Sequence, residues 1–201
     1  MGNRRMTLLE ALDKYKLNWW KDVNQTIEEA SKHPGTDKES SHKYVSSYYE
    51  KAFAPYKEKP DVKIMEIGVQ DGASLILWNF YFKYGEVYGV DPYPKWRDER
   101  VSGQWTSFRS PKQDRDIDTN IKGYIQASVF GTTRWLDWCQ YINITDNIVF
   151  IKKDAYGSLY TNFANEFFDI IIDDGTHQTE DLRFVIEHYW AKLKKGGLMI
   201  L

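Results

Sequence analysis

Short apolar runs rich in β-branched residues recur along the chain, and segments with helical periodicity separate them. The first run, residues 62–69, reads Val-Lys-Ile-Met-Glu-Ile-Gly-Val and ends at a glycine turn. Runs of this kind are typical of strands buried on both faces of a parallel sheet. Further runs occupy residues 87–90, 148–151, 168–172 and 198–201. Strands that alternate with helices predict an α/β fold, a doubly wound, Rossmann-like and mostly parallel sheet with helices on both faces.

Two helical segments are predicted between these runs. Residues 73–82 follow the first glycine turn and form one of them. The other has apolar residues at three- and four-residue steps, which are Leu182, Val185, Ile186, Tyr189, Trp190 and Leu193. Lys194 and Lys195 would form its basic last turn, and Gly196 and Gly197 its C-terminal cap.

Two amphipathic helices are predicted before the first strand. Thr7 and Glu10 have the spacing of a capping box at the start of the first helix. Apolar and aromatic residues then recur at helical spacing: Leu8, Leu12, Tyr15, Trp19 and Val23 in the first helix, and Tyr44, Val45, Tyr48, Tyr49, Ala52 and Phe53 in the second. Pro55 ends the second pattern. We therefore expect an N-terminal helical cover, residues 1–60, on an α/β core, residues 61–201, within a single structural domain.

Composition limits the expected partners and compartment. The 201 residues carry a formal net charge of −2, which gives no reason to expect nucleic acid as a partner. No stretch approaches the roughly 18 consecutive apolar residues of a membrane span, and the opening residues lack the apolar core of a secretory signal. A cytoplasmic protein with no membrane partner is expected. Residues 92–147, which are tryptophan-rich and weakly periodic, predict one or two helices and a loop near the site.

The first candidate site element follows the first strand, where Glu66, Gly68 and Gly72 form the pattern Glu-x-Gly-x-x-x-Gly. Glycines allow the backbone to approach a ligand closely, and the next helix directs its N-terminal amides toward it. Gln70 occupies the place of the second glycine in a nicotinamide-binding fingerprint, which argues against a dehydrogenase. A carboxylate at Glu66 favours a cationic cofactor instead. The alternative is a pair of turn glycines beside a solvated glutamate.

Two further carboxylates follow strands of the same predicted sheet. Asp91 ends the second strand and could accept both hydroxyls of an adenosine ribose. Asp154 follows the third strand at a position where it could contact an adenine edge. The alternative for Asp154 is an aspartate that caps its own loop.

The most specific element is the sequence Asp173-Asp174-Gly175-Thr176-His177, directly after the most apolar strand. Its two carboxylates and its imidazole would be delivered to the carboxyl edge of the sheet. A histidine side chain titrates near neutral pH and is therefore suited to remove a proton from a hydroxyl group. Asp174 could orient that imidazole or bind a hard divalent cation. The alternative is that both aspartates cap the following helix and that His177 is a surface residue.

This ordered set of motifs resembles the class I S-adenosylmethionine-dependent methyltransferases. The Asp-Asp-Gly-Thr-His signature is similar to that of the macrolide-sugar O-methyltransferases that act on mycinamicin and macrocin precursors. A stretch like Gly35-Thr36-Asp37-Lys38, followed by a histidine and a tyrosine such as His42 and Tyr44, precedes the first strand in that group. The resemblance covers about residues 35–91 and 148–201 and fades between them.

The resemblance implies a set of site residues. Glu66, Gly68 and Gly72 would surround the methionine part of S-adenosylmethionine, Asp91 the ribose and Asp154 the adenine side. His177 would be the catalytic base beside Asp174. The full set of cofactor-binding candidates is Lys38, Tyr44, Glu66, Gly68, Gly72, Ser74, Asp91, Asp154, Ala155 and Asp173. Asp174 also matches a Mg²⁺ ligand of the family, whose other ligands are a Glu-Asp pair after the strand equivalent to residues 197–201, and the sequence ends before the position of that pair.

The resemblance further implies O-methylation of a hydroxyl on a sugar or glycan-type substrate. Association of the chain into a homo-oligomer is a further hypothesis. A complete class I sheet continues with another helix and two more strands, so we expect the C-terminal strands to be lacking. Two alternatives stay open: methylation of another small molecule such as a catechol, and a non-catalytic nucleotide-binding module.

Overall fold

A computed structural model describes residues 6–14, 36, 38–39, 42–69, 73–82, 84–91, 148–151 and 153–201. Its helices are α1 (Leu8–Lys14), a π-helical turn (Val45–Tyr49) that continues into α2 (Glu50–Phe53), α3 (Ala73–Tyr81) and α4 (Thr179–Tyr189). Its strands are β1 (Lys63–Ile67), β2 (Glu86–Val90), β3 (Ile148–Ile151), β4 (Phe168–Asp173) and β5 (Leu193–Ile200). Short 3₁₀ turns cover Ala54–Tyr56, Leu159–Asn162 and Trp190–Lys192. The expectations for residues 92–147 lie outside the described residues.

The described strands form one parallel sheet in the order β3-β2-β1-β4-β5. β1 lies at the centre, where Ile67 is opposite both Val90 of β2 and Asp173 of β4. Because all these strands run the same way, their carboxyl ends meet at one edge of the sheet. The predicted doubly wound α/β fold is confirmed.

Both faces of the central strands are buried, as continuous apolar runs require. Side chains alternate between the two faces, so Ile64 and Ile170 pack in a cluster with α1 and α3, while Met65 and Ile171 pack on the other face with α4. All six residues of β4 are buried. The sheet therefore provides a rigid base for whatever its carboxyl edge carries.

The N-terminal helices pack on the α3 side of the sheet. The predicted capping box is present: the backbone amide of Thr7 donates to Glu10 Oε2 at 2.8 Å, and the amide of Glu10 donates to Thr7 Oγ1 at 3.1 Å. Leu8 and Leu12 are fully buried against the core. The division into residues 1–60 and 61–201 stays a prediction.

The second N-terminal helix differs from its predicted pattern. Val45, Tyr49 and Phe53 are buried, but Tyr44 and Tyr48 are both 45% exposed. The single apolar side expected of an amphipathic helix is therefore not observed for Tyr44 and Tyr48. The π-helical turn moves the side chains away from the 3.6-residue spacing on which that prediction rested.

The end of α4 was also predicted wrongly. The helix stops at Tyr189, and Leu193 through Gly197 belong to β5 rather than to a basic last turn and a glycine cap. Leu193 pairs with Phe168 of β4, and Gly196 adopts a φ of +77° within an irregularity of the ladder. This glycine thus allows a bulge, not a helix cap.

A buried carboxylate ties the amino edge of the sheet together. Asp169 is 1% exposed and accepts hydrogen bonds from Lys59 Nζ at 2.5 Å, Lys194 Nζ at 2.7 Å and the backbone amide of Lys63 at 2.9 Å. Burial raises the pKa of this carboxyl, but the hydrogen bonds from Lys194 and Lys59 outweigh it and hold the pKa below its ordinary value. We call these residues the amino-edge cluster.

Within the described ranges, no helix is long and apolar enough to cross a bilayer.

Candidate active site

Backbone hydrogen bonds just beyond the strand ends bring three predicted site segments together. The amide of Gly68 donates to Val90 O at 2.9 Å, the amide of Asp174 to Ile67 O at 2.8 Å and that of Asp91 to Ile151 O at 3.2 Å. The loops after β1, β2 and β4 therefore start at the same edge of the sheet. Ligands bind at this edge in doubly wound folds.

Gly68 makes the closest approach between two of these loops. Its φ is +85°, a left-handed conformation that glycine adopts without steric cost. A Cβ atom there would lie 2.3 Å from the carbonyl oxygen of Asp174. Glycine is thus required both by backbone conformation and by the neighbouring chain. Gly72, the second predicted glycine, lies outside the described residues.

Lys38 connects the N-terminal segment to the carboxyl edge. Its side chain is 4% exposed, and its Nζ lies 2.9 Å from Glu66 Oε1 and 2.5 Å from Asp174 Oδ2. Burial lowers the pKa of the Lys38 ammonium, but the charges of Glu66 and Asp174 outweigh it, and the net pKa is raised well above its ordinary value. Lys38 is therefore a fixed cation. We call Lys38, Glu66 and Asp174 the charged triad.

Glu66 is fully buried, which excludes the alternative of a solvated glutamate. Its Oε2 accepts a hydrogen bond from Trp78 Nε1 at 2.9 Å, and the Ser74 hydroxyl also bonds to this carboxylate. Burial raises the pKa of Glu66, while the ammonium of Lys38 opposes the shift. The structure surrounds this carboxylate with protein partners, and its predicted contact with the methionine part of a cofactor stays a prediction.

Asp91 and Asp154 differ in their surroundings. Asp91 is 2% exposed, and its Oδ2 accepts a hydrogen bond from the amide of Val69, next to Gly68, at 3.1 Å. This bond connects the end of β2 to the glycine turn. Asp154 is exposed and accepts a hydrogen bond from the amide of Tyr156 at 2.9 Å, so it does cap its own loop. Its predicted adenine contact stays a prediction, as does the predicted cofactor-binding role of the buried Ala155.

Asp173 ends β4 and is 3% exposed. Its Oδ1 accepts two hydrogen bonds, one from the hydroxyl of Tyr156 at 2.9 Å and one from the amide of Gly175 at 3.1 Å. Its buried Oδ2 has no hydrogen-bond partner among the described residues. Burial raises the pKa of Asp173, although the hydrogen bond from Tyr156 opposes this.

His177 lies on the exposed side of this edge. Its side chain is 64% exposed, its φ is +58°, and its Nε2 is 3.8 Å from Asp174 Oδ1. The following helix α4 begins at Thr179, with Gln178 as its N-cap and no side-chain capping bond. Asp173 and Asp174 therefore do not cap this helix, and the imidazole is accessible to a substrate.

Tyr44 completes the predicted set. Its ring stacks on that of His42 at a centroid distance of 4.9 Å and is 45% exposed. Sequence reasoning missed Trp78 and Tyr156, whose polar atoms bond to Glu66 and Asp173. Trp78 lies within the predicted helix 73–82, and Tyr156 lies in the loop after the third predicted strand. No spacing in the sequence indicates their contacts.

The carboxyl edge is strongly acidic. Among its charged residues Glu66, Asp91, Asp173 and Asp174 are acidic, and Lys38 is basic. A ligand that carries positive charge therefore fits this edge better than an anionic one. The residues present thus fit a cationic nucleoside such as S-adenosylmethionine.

The fit to a metal ion is weaker. In the part of the chain that the structure describes, no group of three His, Cys, Asp or Glu side chains is arranged to hold a metal. Asp174, the predicted Mg²⁺ ligand, has its Oδ2 engaged by the ammonium of Lys38. The described residues do not form a magnesium site by themselves.

The strand order and the acidic, glycine-containing carboxyl edge define a Rossmann-type α/β domain, a class of fold whose ligands bind at the carboxyl ends of the strands. The chain belongs to the methyltransferase domain family, whose sequence profile matches residues 65–201. The expected resemblance to class I methyltransferases is confirmed.

Two relatives from Streptomyces olivaceus are similar to this chain. One is named 8-demethyl-8-alpha-L-rhamnosyl tetracenomycin-C 2'-O-methyltransferase and is 27% identical over an alignment of length 176, which covers 83% of this chain and 34% of the relative. The other is named 8-demethyl-8-(2-methoxy-alpha-L-rhamnosyl)-tetracenomycin-C 3'-O-methyltransferase and is 27% identical over an alignment of length 179, which covers 86% of this chain and 35% of the relative. The chain thus spans about a third of the length of these relatives.

A solved structure shares the fold. The MycE methyltransferase from the mycinamycin biosynthetic pathway, solved in complex with Mg and SAH, aligns with a TM-score of 0.50 and 18% identity. The alignment covers 98% of this chain and 35% of that chain. At this identity the likeness concerns the fold alone.

Proposed function

We propose that this chain carries the cofactor site of an S-adenosylmethionine-dependent O-methyltransferase that acts on a hydroxyl group of a sugar or glycan-type substrate. The observation that carries the proposal is the acidic carboxyl edge around Gly68, where Asp91, Asp173 and the charged triad meet beside an exposed imidazole. Family membership supports methyl transfer, and the names of the two relatives, both O-methyltransferases of rhamnosyl compounds, support a sugar hydroxyl as acceptor.

Each residue has a role in this proposal. Gly68 and Asp173 would hold the methionine part of the cofactor, Asp91 its ribose, and the loop of Asp154 and Ala155 its adenine side. Ser74 would hold the carboxylate of Glu66 by its hydrogen bond, and Tyr44 would cover the site from the exposed side. Lys38 would hold the same buried carboxylate and that of Asp174 by its charge.

His177 would be the general base. S-adenosylmethionine, when bound, would supply an electrophilic methyl group on a sulfonium. His177 would take the proton of the acceptor hydroxyl while the oxygen–methyl bond forms and the sulfur–methyl bond breaks, and the sulfur would depart as a neutral thioether. Asp174 would stabilise the resulting imidazolium by its charge, from the 3.8 Å separation seen here. Much of the acceleration would come from holding oxygen and methyl in line.

Methyl transfer from labelled S-adenosylmethionine tests the proposal. The acceptors would be a rhamnosylated aromatic compound, its sugar-free aglycone and a catechol, each with and without added Mg²⁺. Transfer to the rhamnoside but not to the aglycone is the expected result. Transfer to the catechol alone would place the activity on another small molecule, and cofactor binding without transfer to any acceptor would indicate a binding module.

We extend the proposal to the partners and the location of the protein. A small-molecule or glycan acceptor and a cytoplasmic location fit the composition, and the net charge of −2 does not favour nucleic acid. A homo-oligomer is compatible with this reading, and light scattering of the purified chain would measure its mass.

A further inference from the structure

The hydroxyl group of Tyr156 joins two loops at the carboxyl edge. Tyr156 lies on the loop after β3, and its Oη donates a hydrogen bond to Asp173 Oδ1 at 2.9 Å. The same oxygen accepts a hydrogen bond from the backbone amide of Thr176 at 3.3 Å. One hydroxyl thus contacts both the end of β4 and the segment that leads to His177.

The packing around this hydroxyl is close. A Cβ atom added to Gly175 would lie 2.1 Å from Tyr156 Oη and 3.0 Å from Asp173 Oδ1. The glycine leaves room for the hydroxyl and donates its own amide to the same carboxylate oxygen at 3.1 Å. The orientation of the Asp173 carboxylate is therefore fixed by two donors on one oxygen.

The other oxygen of Asp173 is buried and has no hydrogen-bond partner among the described residues. A buried carboxylate oxygen without a donor is unfavourable, and such an atom in a candidate site indicates a ligand that supplies the donor. Lys38, the buried cation of this edge, contacts Glu66 and Asp174 rather than Asp173. A cationic donor would satisfy both the hydrogen bond and the charge.

We propose that Tyr156 is a positioning residue, which holds the Asp173 carboxylate so that its Oδ2 accepts a hydrogen bond from the α-ammonium group of an amino-acid-bearing nucleoside. This inference rests on the proposed function. Tyr156 does not touch the ligand in this account. Its hydroxyl acts through Asp173, and because Thr176 is exposed, its amide can bond to water when the hydroxyl is removed.

Tyr156→Phe tests the inference with two ligands that differ in the amino-acid part. S-adenosylhomocysteine carries the α-ammonium group, whereas 5′-methylthioadenosine has the same nucleoside and thioether without it. The substitution should weaken S-adenosylhomocysteine about tenfold, in line with the loss of a hydrogen bond to a charged group, and change 5′-methylthioadenosine by less than about twofold. Both dissociation constants would be measured by calorimetric titration of the full chain.

Tyr88→Phe is the matched control. Tyr88 also donates its hydroxyl to a carboxylate, Glu86 Oε2 at 2.7 Å, but on β2 and away from the carboxyl edge. This variant should leave both affinities unchanged. Equal weakening of the two ligands by Tyr156→Phe, or no weakening of S-adenosylhomocysteine, would overturn the inference alone. A wild-type chain that binds neither ligand would overturn the proposed function and this inference with it.

Discussion

The ammonium nitrogen of Lys38 lies 2.5 Å from Oδ2 of Asp174, although 136 positions separate the two residues in the sequence. The same nitrogen pairs with Glu66 at 2.9 Å, so one cation serves a carboxylate on β1 and another directly after β4. This arrangement holds the N-terminal segment against the carboxyl edge. It also neutralises part of the acidic charge, whereas Oδ2 of the buried Asp173 has no hydrogen-bond partner among the described residues.

Lys38→Met should destabilise the fold by about 3–5 kcal/mol at neutral pH, because it leaves the buried Glu66 without its counter-charge. Removing Lys38 also removes the charge that opposes the raised pKa of Glu66. A carboxyl whose folded pKa lies above its unfolded value becomes less favourable to folding as the pH rises. The decrease in the free energy of unfolding caused by Lys38→Met should therefore be smaller at about pH 5 than at about pH 8, as measured by urea unfolding.

Lys43→Met provides the control for this measurement. Lys43 is 69% exposed, and its Nζ is 4.0 Å from the carboxylate of Glu39. Exposed ion pairs contribute little, so the change should stay within about 0.5 kcal/mol. Equal effects of the two substitutions would contradict the structural role of the charged triad.

Gly68→Ala should destabilise the chain by at least about 2 kcal/mol, since the added Cβ meets a backbone carbonyl and the φ of +85° is unfavourable for alanine. Gly157→Ala is the matched control, because its nearest contact would be an ordinary 3.8 Å. Thermal unfolding of both variants measures the difference. Similar midpoints for the two would show that the turn at Gly68 is less constrained than described.

The amino-edge cluster predicts a specific acid sensitivity. Asp169 has a folded pKa below its ordinary value of 3.8, so its contribution to stability is present above that value and is lost as the pH falls through the folded pKa. Asp169→Asn should lower the free energy of unfolding at neutral pH. It should also make that free energy fall less steeply as the pH drops below about 4. Unfolding free energies measured as a function of pH give the test. Parallel curves for the variant and the wild type would rule out this contribution.

The fold was largely predictable because its strands are marked by local composition. The predicted runs ending at Val90 and Ile151 coincide with the observed ends of β2 and β3. The start of β5 was predicted too late in the sequence, because Leu193 continues the helical spacing of α4 and the pair Gly196-Gly197 is typical of a helix cap. Pairing with β4 overrides this local pattern, and such pairing is not visible in a single sequence.

The site was predictable where strand geometry alone decides position. Asp91 follows β2 and Asp173 ends β4, the two parallel strands on either side of β1, so their convergence needs no knowledge of side-chain contacts. The contacts of Lys38 with Asp174 and of Tyr156 with Asp173 join distant segments through single side-chain atoms. No periodicity encodes these contacts, and only the folded chain shows them.

His177→Ala should reduce kcat by on the order of a hundredfold or more and leave the affinity for S-adenosylmethionine nearly unchanged, since a general base acts in the transition state. His188→Ala is the control, because His188 stacks on Tyr160 along α4 and has no part in the proposed chemistry. Steady-state methyl transfer measures both. Unchanged turnover in His177→Ala would remove this residue from the mechanism.

The central claim is that the carboxyl edge binds an adenosyl sulfonium. Calorimetric titration of the wild-type chain and of Asp91→Ala with S-adenosylmethionine tests it most directly. One site per chain is expected in the wild type, with an affinity at least about tenfold weaker in Asp91→Ala, which lacks the proposed ribose contact. Absence of binding to the wild type, or equal affinity in the two proteins, would contradict it.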